Sequence, residues 1–135
     1  MKSPLEIVQT MLQEDAFSNW LGIQVEQIDQ GSCTLSMEAH SEMVNGFSIL
    51  HGGISYALAD SALAFASNAY GYQCVSIETS ISHIRPAKAG EKLIATATEI
   101  HRGKTVGRYE VIVADQHHKT IAHFKGTVHI SEKVW

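Results

Sequence analysis

The stretch HGGISYALADSALAFASNAYG, residues 51–71, decides the fold. Of the 17 residues Ile54–Tyr70, 12 are Ala, Ile, Leu, Phe or Tyr, and Asp60 is the only charged one. A helix that is apolar nearly all round must be surrounded by protein. Six of those residues are alanines, which keep the helix thin enough for a sheet to wrap closely around it. Gly71 stands where such a helix should end.

Near the start of the chain, Ser3-Pro4-Leu5-Glu6 carries a helix-start signature: Ser3 to cap, Pro4 at the first helical position and Glu6 reaching back. Leu5, Val8, Met11 and Leu12 give that short helix one apolar face. Ile23–Ile28 and Ser32–Ala39 read as a hairpin through Asp29-Gln30-Gly31, and Cys33, Leu35, Met37 and Ala39 alternate with polar residues. Ser41–Leu50 is irregular and contains Asn45-Gly46. Beyond Gly71, four strands are expected at about Cys74–Ile84, Lys92–Ile100, Thr105–Ala114 and Thr120–Ile130. Short connections predict that these last strands are antiparallel neighbours. The class is therefore α+β, with one curled antiparallel sheet over one helix.

A chain of 135 residues is expected to form a single domain, residues 1–135. No apolar run approaches the ~18–20 residues of a membrane span, the start lacks a signal-peptide pattern, and Cys33 and Cys74 are too few for a disulfide framework. A cytoplasmic protein without a membrane partner is the expectation. The formal charge of −4 argues against nucleic acid as a partner. Its distribution is uneven: Met1–Ile84 holds nine acidic residues and one base, whereas Arg85–Trp135 holds nine bases and five acids. A basic half can face a polyanionic ligand, or be no more than solvated charge.

Asp60 is the first candidate for chemistry, because a carboxylate on an apolar helix needs a partner or a task. A buried Asp satisfied by neighbouring donors is the structural alternative. Gly52 and Gly53 expose backbone N–H groups at the positive end of a helix, where an anion or developing oxyanion can be held. Asn45, in the loop feeding the helix, could hold a water or a carbonyl. Gly53 and Asp60 are seven residues apart, ~10 Å of helix rise, so one helix cannot readily offer both to the same carbon. If both act, two antiparallel helices across a two-fold axis must supply them. No metal-ligand spacing, GxGxxG, P-loop or GxSxG motif occurs, so neither a metal nor another cofactor is expected.

Asn45-Gly46-x4-His51-Gly52-Gly53-x6-Asp60, with Val75-Ser76-Ile77 and Ile84-Arg85-Pro86-Ala87, resembles the hotdog-fold acyl-CoA thioesterases, and most of all their phenylacetate-degradation (PaaI-like) type. The resemblance runs from Leu21-Gly22-Ile23 through the final strand and is supported by Arg102-Gly103-Lys104. It implies a hotdog fold and hydrolysis of phenylacetyl-, hydroxyphenylacetyl- or related acyl-CoA. It further implies Asp60 as nucleophile or general base, and Gly53, with Gly52, as oxyanion donor. Asn45 would orient the water or thioester, Ser76 would place the water, and His51 would be a positioning residue. Asp60 and the glycines would come from different subunits of a homodimer, itself half of a tetramer. Tyr56 and Ser61 stand where the phenylacetate type often has Phe and Thr, beside the expected acyl pocket. Arg85, Lys88, Arg102 and Lys104 fall in turns and are expected coenzyme A contacts. The rival readings are a hotdog hydratase or dehydratase, which would use a catalytic His at other positions, and a non-catalytic acyl-CoA-binding module, in which Asp60 would have no task.

Overall fold

A computed structural model describes all of residues 1–135. Helix α1 (Pro4–Glu14) and the short α2 (Ala16–Leu21) precede the hairpin β1 (Gln24–Asp29) and β2 (Ser32–Glu38). One 3₁₀ turn (Ser41–Met43) leads to the long helix α3 (Gly52–Asn68), and β3 (Tyr72–His83), β4 (Lys92–Arg102), β5 (Val106–Ala114) and β6 (Thr120–Val134) follow. The capping box at Ser3 forms as its sequence predicts. Helix α2 has no counterpart in the sequence reading.

All strand pairings are antiparallel, and the six-stranded sheet has the order β1-β2-β4-β5-β6-β3, curled around α3 without closing into a barrel. Strands β4, β5 and β6 form the expected meander. Strand β3 corrects the expectation that consecutive strands are neighbours: it pairs with β6, and β4 pairs with β2. Eight residues, 84–91, join β3 to β4. They can reach ~26 Å, ample for crossing two strands at ~4.8 Å spacing. That crossing is pinned by Leu50 N–H to Ala87 O at 2.8 Å and Gly90 N–H to Ala39 O at 2.7 Å, so it lies beside the start of α3.

Leu35, Ala95, Val113 and Ala122 stand in register across β2, β4, β5 and β6 and are all fully buried, as are Leu58, Ala62, Leu63, Phe65 and Ala66 of α3. Each large apolar side chain so buried contributes roughly 1.5–3 kcal/mol. The helix approaches the sheet closely: a Cβ on Gly126 of β6 would lie 2.5 Å from Leu63 Cδ2. Small residues on both sides are what let the sheet wrap the helix.

The far end of α3 is anchored by polar groups. Arg102 Nη1 donates to Ser67 O and to Tyr109 Oη, both at 3.1 Å, and its guanidinium stacks 3.9 Å from the Tyr70 ring. Tyr70 and Tyr109 donate to the two oxygens of Glu99, each at 2.8 Å. Asn68, 1% exposed, donates to Ala64 O and Cys74 O and accepts from Cys74 N–H and Trp135 Nε1. Asn68→Leu would strand several buried partners, and is expected to lower stability by about 2–4 kcal/mol. Equilibrium urea unfolding, showing a lower midpoint at unchanged slope, checks this.

Candidate active site

The loop into α3 uses its polar atoms unevenly. His51 caps the helix, with Nδ1 accepting the Gly53 N–H at 2.8 Å, and its carbonyl accepts from Ile54 N–H at 2.9 Å. The Gly52 N–H has no partner within the chain. A Cβ on Gly52 would lie 2.9 Å from Cε1 of the exposed His83, so a side chain there would push that ring aside. Asn45 Oδ1 accepts from Phe47 N–H at 2.9 Å and Ile49 N–H at 3.4 Å, and its main chain bonds Ile49 O. The carboxamide oxygen therefore holds the loop together, and the NH₂ group is left over. Asn45 and Gly52 line one cavity of about 410 Å³ together with Ser55, His83, Arg85 and apolar residues.

Asp60 lies two turns further along α3, half-buried on its least covered face with Gly53, Tyr56, Ala57, Ser61 and Ala64. Its carboxylate has no hydrogen-bond partner in the chain, and burial pushes its pKa above the ordinary 3.8. A carboxylate that is neither paired nor fully hydrated is a stronger base and nucleophile than a surface one.

Cavities open on both sides of Asp60. One, of about 430 Å³, is lined by Asp15, Phe17, Ser18, Gly53, Tyr56, Ser61 and three more residues of α3. The other, of about 240 Å³, includes Cys74, Val75, Ser76 and Val128. Ser76 is exposed and its hydroxyl is unpartnered. The β3–β6 register shifts between Ser76 and Glu78, a bulge of the kind that re-aims side chains beside sites.

In the larger cavity every hydroxyl is committed. Tyr56 Oη bonds Thr79 Oγ1, and the Tyr56 ring meets Phe124 edge-on at 5.3 Å. Ser18 donates from Oγ to Asp15 Oδ2 at 2.6 Å, while its N–H donates to Oδ1 at 2.9 Å. Ser61 Oγ lies 2.8 Å from Ser18 Oγ. An ionised carboxylate only accepts, so Ser18 gives its proton to Asp15 and Ser61 gives its own to Ser18. Ser61 therefore offers lone pairs, not a proton, to the cavity.

The basic residues divide into two groups. Arg85 and Lys88 are exposed in the 84–91 crossing beside the start of α3. Arg102 and Lys104 are at its other end, about 20 Å away along the helix, where they border a separate groove with Tyr72, Thr105 and Glu132. Arg102 spends one guanidinium nitrogen on the Ser67 carbonyl and Tyr109. Within one chain the four cations do not form a single cluster.

Asp15, Phe17, Ser18 and His83 border these cavities and do not figure in the sequence reading. For α2 there was a signal: Asp15 followed three residues later by Ser18 has the spacing of a cap, and Asp15 does cap the helix. His83 is visible only once β3 is folded against the start of α3.

The Thioesterase superfamily matches residues 47–122. The chain is 38% identical over 119 residues to acyl-coenzyme A thioesterase PaaI of Escherichia coli (strain K12), covering 88% of this chain and 85% of that protein. It is 30% identical over 129 residues to human acyl-coenzyme A thioesterase 13, covering 93% and 92%. The solved structure of the E. coli PaaI protein from the phenylacetic acid degradation operon superposes with a TM-score of 0.95 at 34% identity, covering 97% of this chain and 95% of that one. The TT0310 protein of Thermus thermophilus superposes with a TM-score of 0.82, also at 34% identity, covering 86% and 97%.

Proposed function

The chain belongs to the thioesterase superfamily, and from that premise we propose that it hydrolyses acyl-coenzyme A thioesters to free acid and coenzyme A, with Asp60 as the reacting carboxylate. The observation that carries this reading is Asp60 itself: an unpaired carboxylate on an apolar helix, between two cavities, with a raised pKa. Thioesters suit such a site. The carbonyl is already electrophilic and the thiol leaves readily, so a base and an oxyanion donor supply most of the acceleration, each worth ~10²–10⁴-fold.

The roles follow from which polar atoms are free. The Gly52 N–H and the Asn45 NH₂ are unpartnered donors able to receive the thioester carbonyl, and Gly53 N–H joins them if the carbonyl displaces His51 Nδ1. His51 otherwise holds the glycines in place. Ser76, free beside Asp60, is suited to hold the water. Phe17, Tyr56 and Ser61 make the larger cavity the acyl pocket: aromatic on its sides and an acceptor at Ser61. That composition favours an aryl-acetyl group bearing a hydroxyl, such as hydroxyphenylacetyl, over a plain alkyl chain. Their exposure beside the start of α3 supports Arg85 and Lys88 as contacts for the coenzyme's phosphates. The role of Arg102 and Lys104 toward the same coenzyme then depends on a second subunit.

The active unit in this reading is a homodimer sharing its sites, with a tetramer as the larger assembly. Strand β3 is a sheet edge with an open hydrogen-bonding side, and it exposes Val75 and Ile77 at 64% and 60%. The face of α3 that carries Asp60 is only half-covered by its own chain. Both features suit a second copy. A reducing cytoplasm suits Cys33 and Cys74, which are both free and buried.

Release of free thiol from a panel of acyl-CoA esters, followed with a thiol-reactive dye, tests the reading. Hydroxyphenylacetyl-CoA should exceed phenylacetyl-CoA in kcat/KM by roughly three- to tenfold, one hydrogen bond's worth, and Ser61→Ala should narrow that ratio. A preference for straight alkyl chains would remove the aryl reading while leaving the thioesterase. No thiol release from any ester would remove the activity.

A further inference from the structure

One ring in the cavity at the start of α3 is used by none of these roles: we propose that His83, through a ring N–H, donates to the thioester sulfur as the carbon–sulfur bond breaks, and so assists departure of the thiolate. This rests on the thioesterase reading above and adds a residue for the leaving group, which that reading leaves unattended.

The polar inventory of the cavity points this way. The Ser55 hydroxyl is committed to the Gly52 carbonyl at 3.1 Å, and Asn45 Oδ1 to its own loop. What remains free are the Gly52 N–H, the Asn45 NH₂, the Arg85 guanidinium and the His83 imidazole, since no hydrogen bond within the chain engages them. A cavity of free donors is built for developing negative charge. Two such charges arise in thioester cleavage, first on the carbonyl oxygen and then on the sulfur.

Placement separates the two. The His83 ring lies directly on Gly52: an ideal Cβ there would be 2.9 Å from Cε1 and 3.0 Å from Nε2. A carbonyl oxygen accepting from the Gly52 N–H at ~2.9 Å puts the sulfur only one further bond from the carbonyl carbon. Among side chains at this end of the helix, His51 accepts from Gly53 at Nδ1, which leaves its N–H on Nε2, but it does not line this cavity. Arg85 also lines the cavity and is exposed, as His83 is, but it stands in the 84–91 connection beyond the end of β3. His83 is the last residue of β3, paired with Ala122 of β6, so its backbone is held by the sheet rather than by a loop.

The step balances without any further reactant. Water oxygen bonds to the carbonyl carbon and one water proton passes to the Asp60 carboxylate. The carbon–sulfur pair leaves with sulfur, and the His83 N–H donates to the thiolate while it departs. The released thiolate takes a proton from solvent, and Asp60 returns its proton there.

The test compares two esters of one acyl group in the full-length protein: the coenzyme A ester, whose alkyl thiolate is basic, and the thiophenyl ester, whose aryl thiolate delocalises its own charge. His83→Phe should lower kcat about 10- to 100-fold on the coenzyme A ester, as expected for losing a hydrogen bond to a charged group. On the thiophenyl ester it should change kcat by about twofold or less. His83→Gln, which keeps an N–H donor, should recover much of the loss, and circular dichroism should show both variants folded. Equal losses on the two esters, or His83→Gln as slow as His83→Phe, would reduce His83 to packing against Gly52. No loss on either ester would overturn the proposal while leaving the thioesterase standing. A wild type that cleaves neither ester would overturn both.

Discussion

Asp60→Asn is expected to lose about 10²–10⁴-fold in thioester turnover and, at the same time, to melt at a higher temperature than the wild type. The two effects have one cause. Burial holds the Asp60 pKa above the ordinary 3.8, with no partner to offset the lost hydration. A group whose folded-state pKa exceeds its unfolded value favours the fold while protonated and loses that contribution as pH rises through the folded pKa. At neutral pH the ionised Asp60 therefore works against folding, and asparagine, which cannot ionise, does not. The gain in melting temperature should shrink as the solution is acidified toward the ordinary carboxylate range. The same shift governs activity: only the ionised carboxylate can take a proton or attack, so kcat/KM should fall on the acid side with a midpoint above 3.8. Thermal melts across a pH series and a pH–rate profile on one acyl-CoA ester check both halves. Retained turnover in Asp60→Asn would end the assignment of the carboxylate.

Mixing two inactive chains is expected to restore activity. Asp60→Asn removes the carboxylate and keeps the helix start, whereas Gly53→Pro keeps the carboxylate but deletes the N–H that anchors His51 and puts a Cβ 2.9 Å from His51 Nδ1, which disrupts the helix start and its donors. Gly53 and Asp60 share one face of α3 but are ~10 Å apart along it. A carbonyl held at the helix start is thus out of reach of the same chain's Asp60. If sites are shared across a two-fold axis, a mixed dimer has one site carrying both defects and one carrying neither. The purified mixed dimer should then carry about half of wild-type activity, and an unfractionated random mixture about a quarter. Co-expressing differently tagged chains, purifying the mixed species and assaying thiol release measures it. Inactivity of a demonstrated mixed dimer would place each site within one chain.

The buried helix was legible because its composition allows no other placement: twelve apolar residues and one charge between two glycine signals must lie inside protein. Asp60 and Gly52-Gly53 were legible for the same reason, as the few residues on that helix at odds with an apolar environment. Strand β3 was misplaced because connection length bounds which strands can be neighbours without choosing among them, and an eight-residue crossing reaches either position. Helix α2 is six residues long, too short for periodicity to reveal, and only the Asp15–Ser18 cap marks it.

Local patterns in the chain specify one sheet over one apolar helix and mark out the residues whose chemistry is out of keeping with their surroundings. Those patterns, namely alternation, composition and caps, act over a few residues. Which polar atoms are free to act emerges only when the chain is folded. Asn45 bears a usable NH₂ because its oxygen is tied to its loop, and Gly52 rather than Gly53 has the unpaired N–H because His51 turns back onto the helix. Ser61 offers the cavity an acceptor rather than a donor because Asp15, 46 positions earlier in the chain, takes the Ser18 proton and Ser18 in turn takes that of Ser61. His83 reaches Gly52 because β3 ends beside the helix start. Hydrogen-bond satisfaction depends on atoms brought together from distant parts of the chain, and no local pattern records which of them remain unpaired.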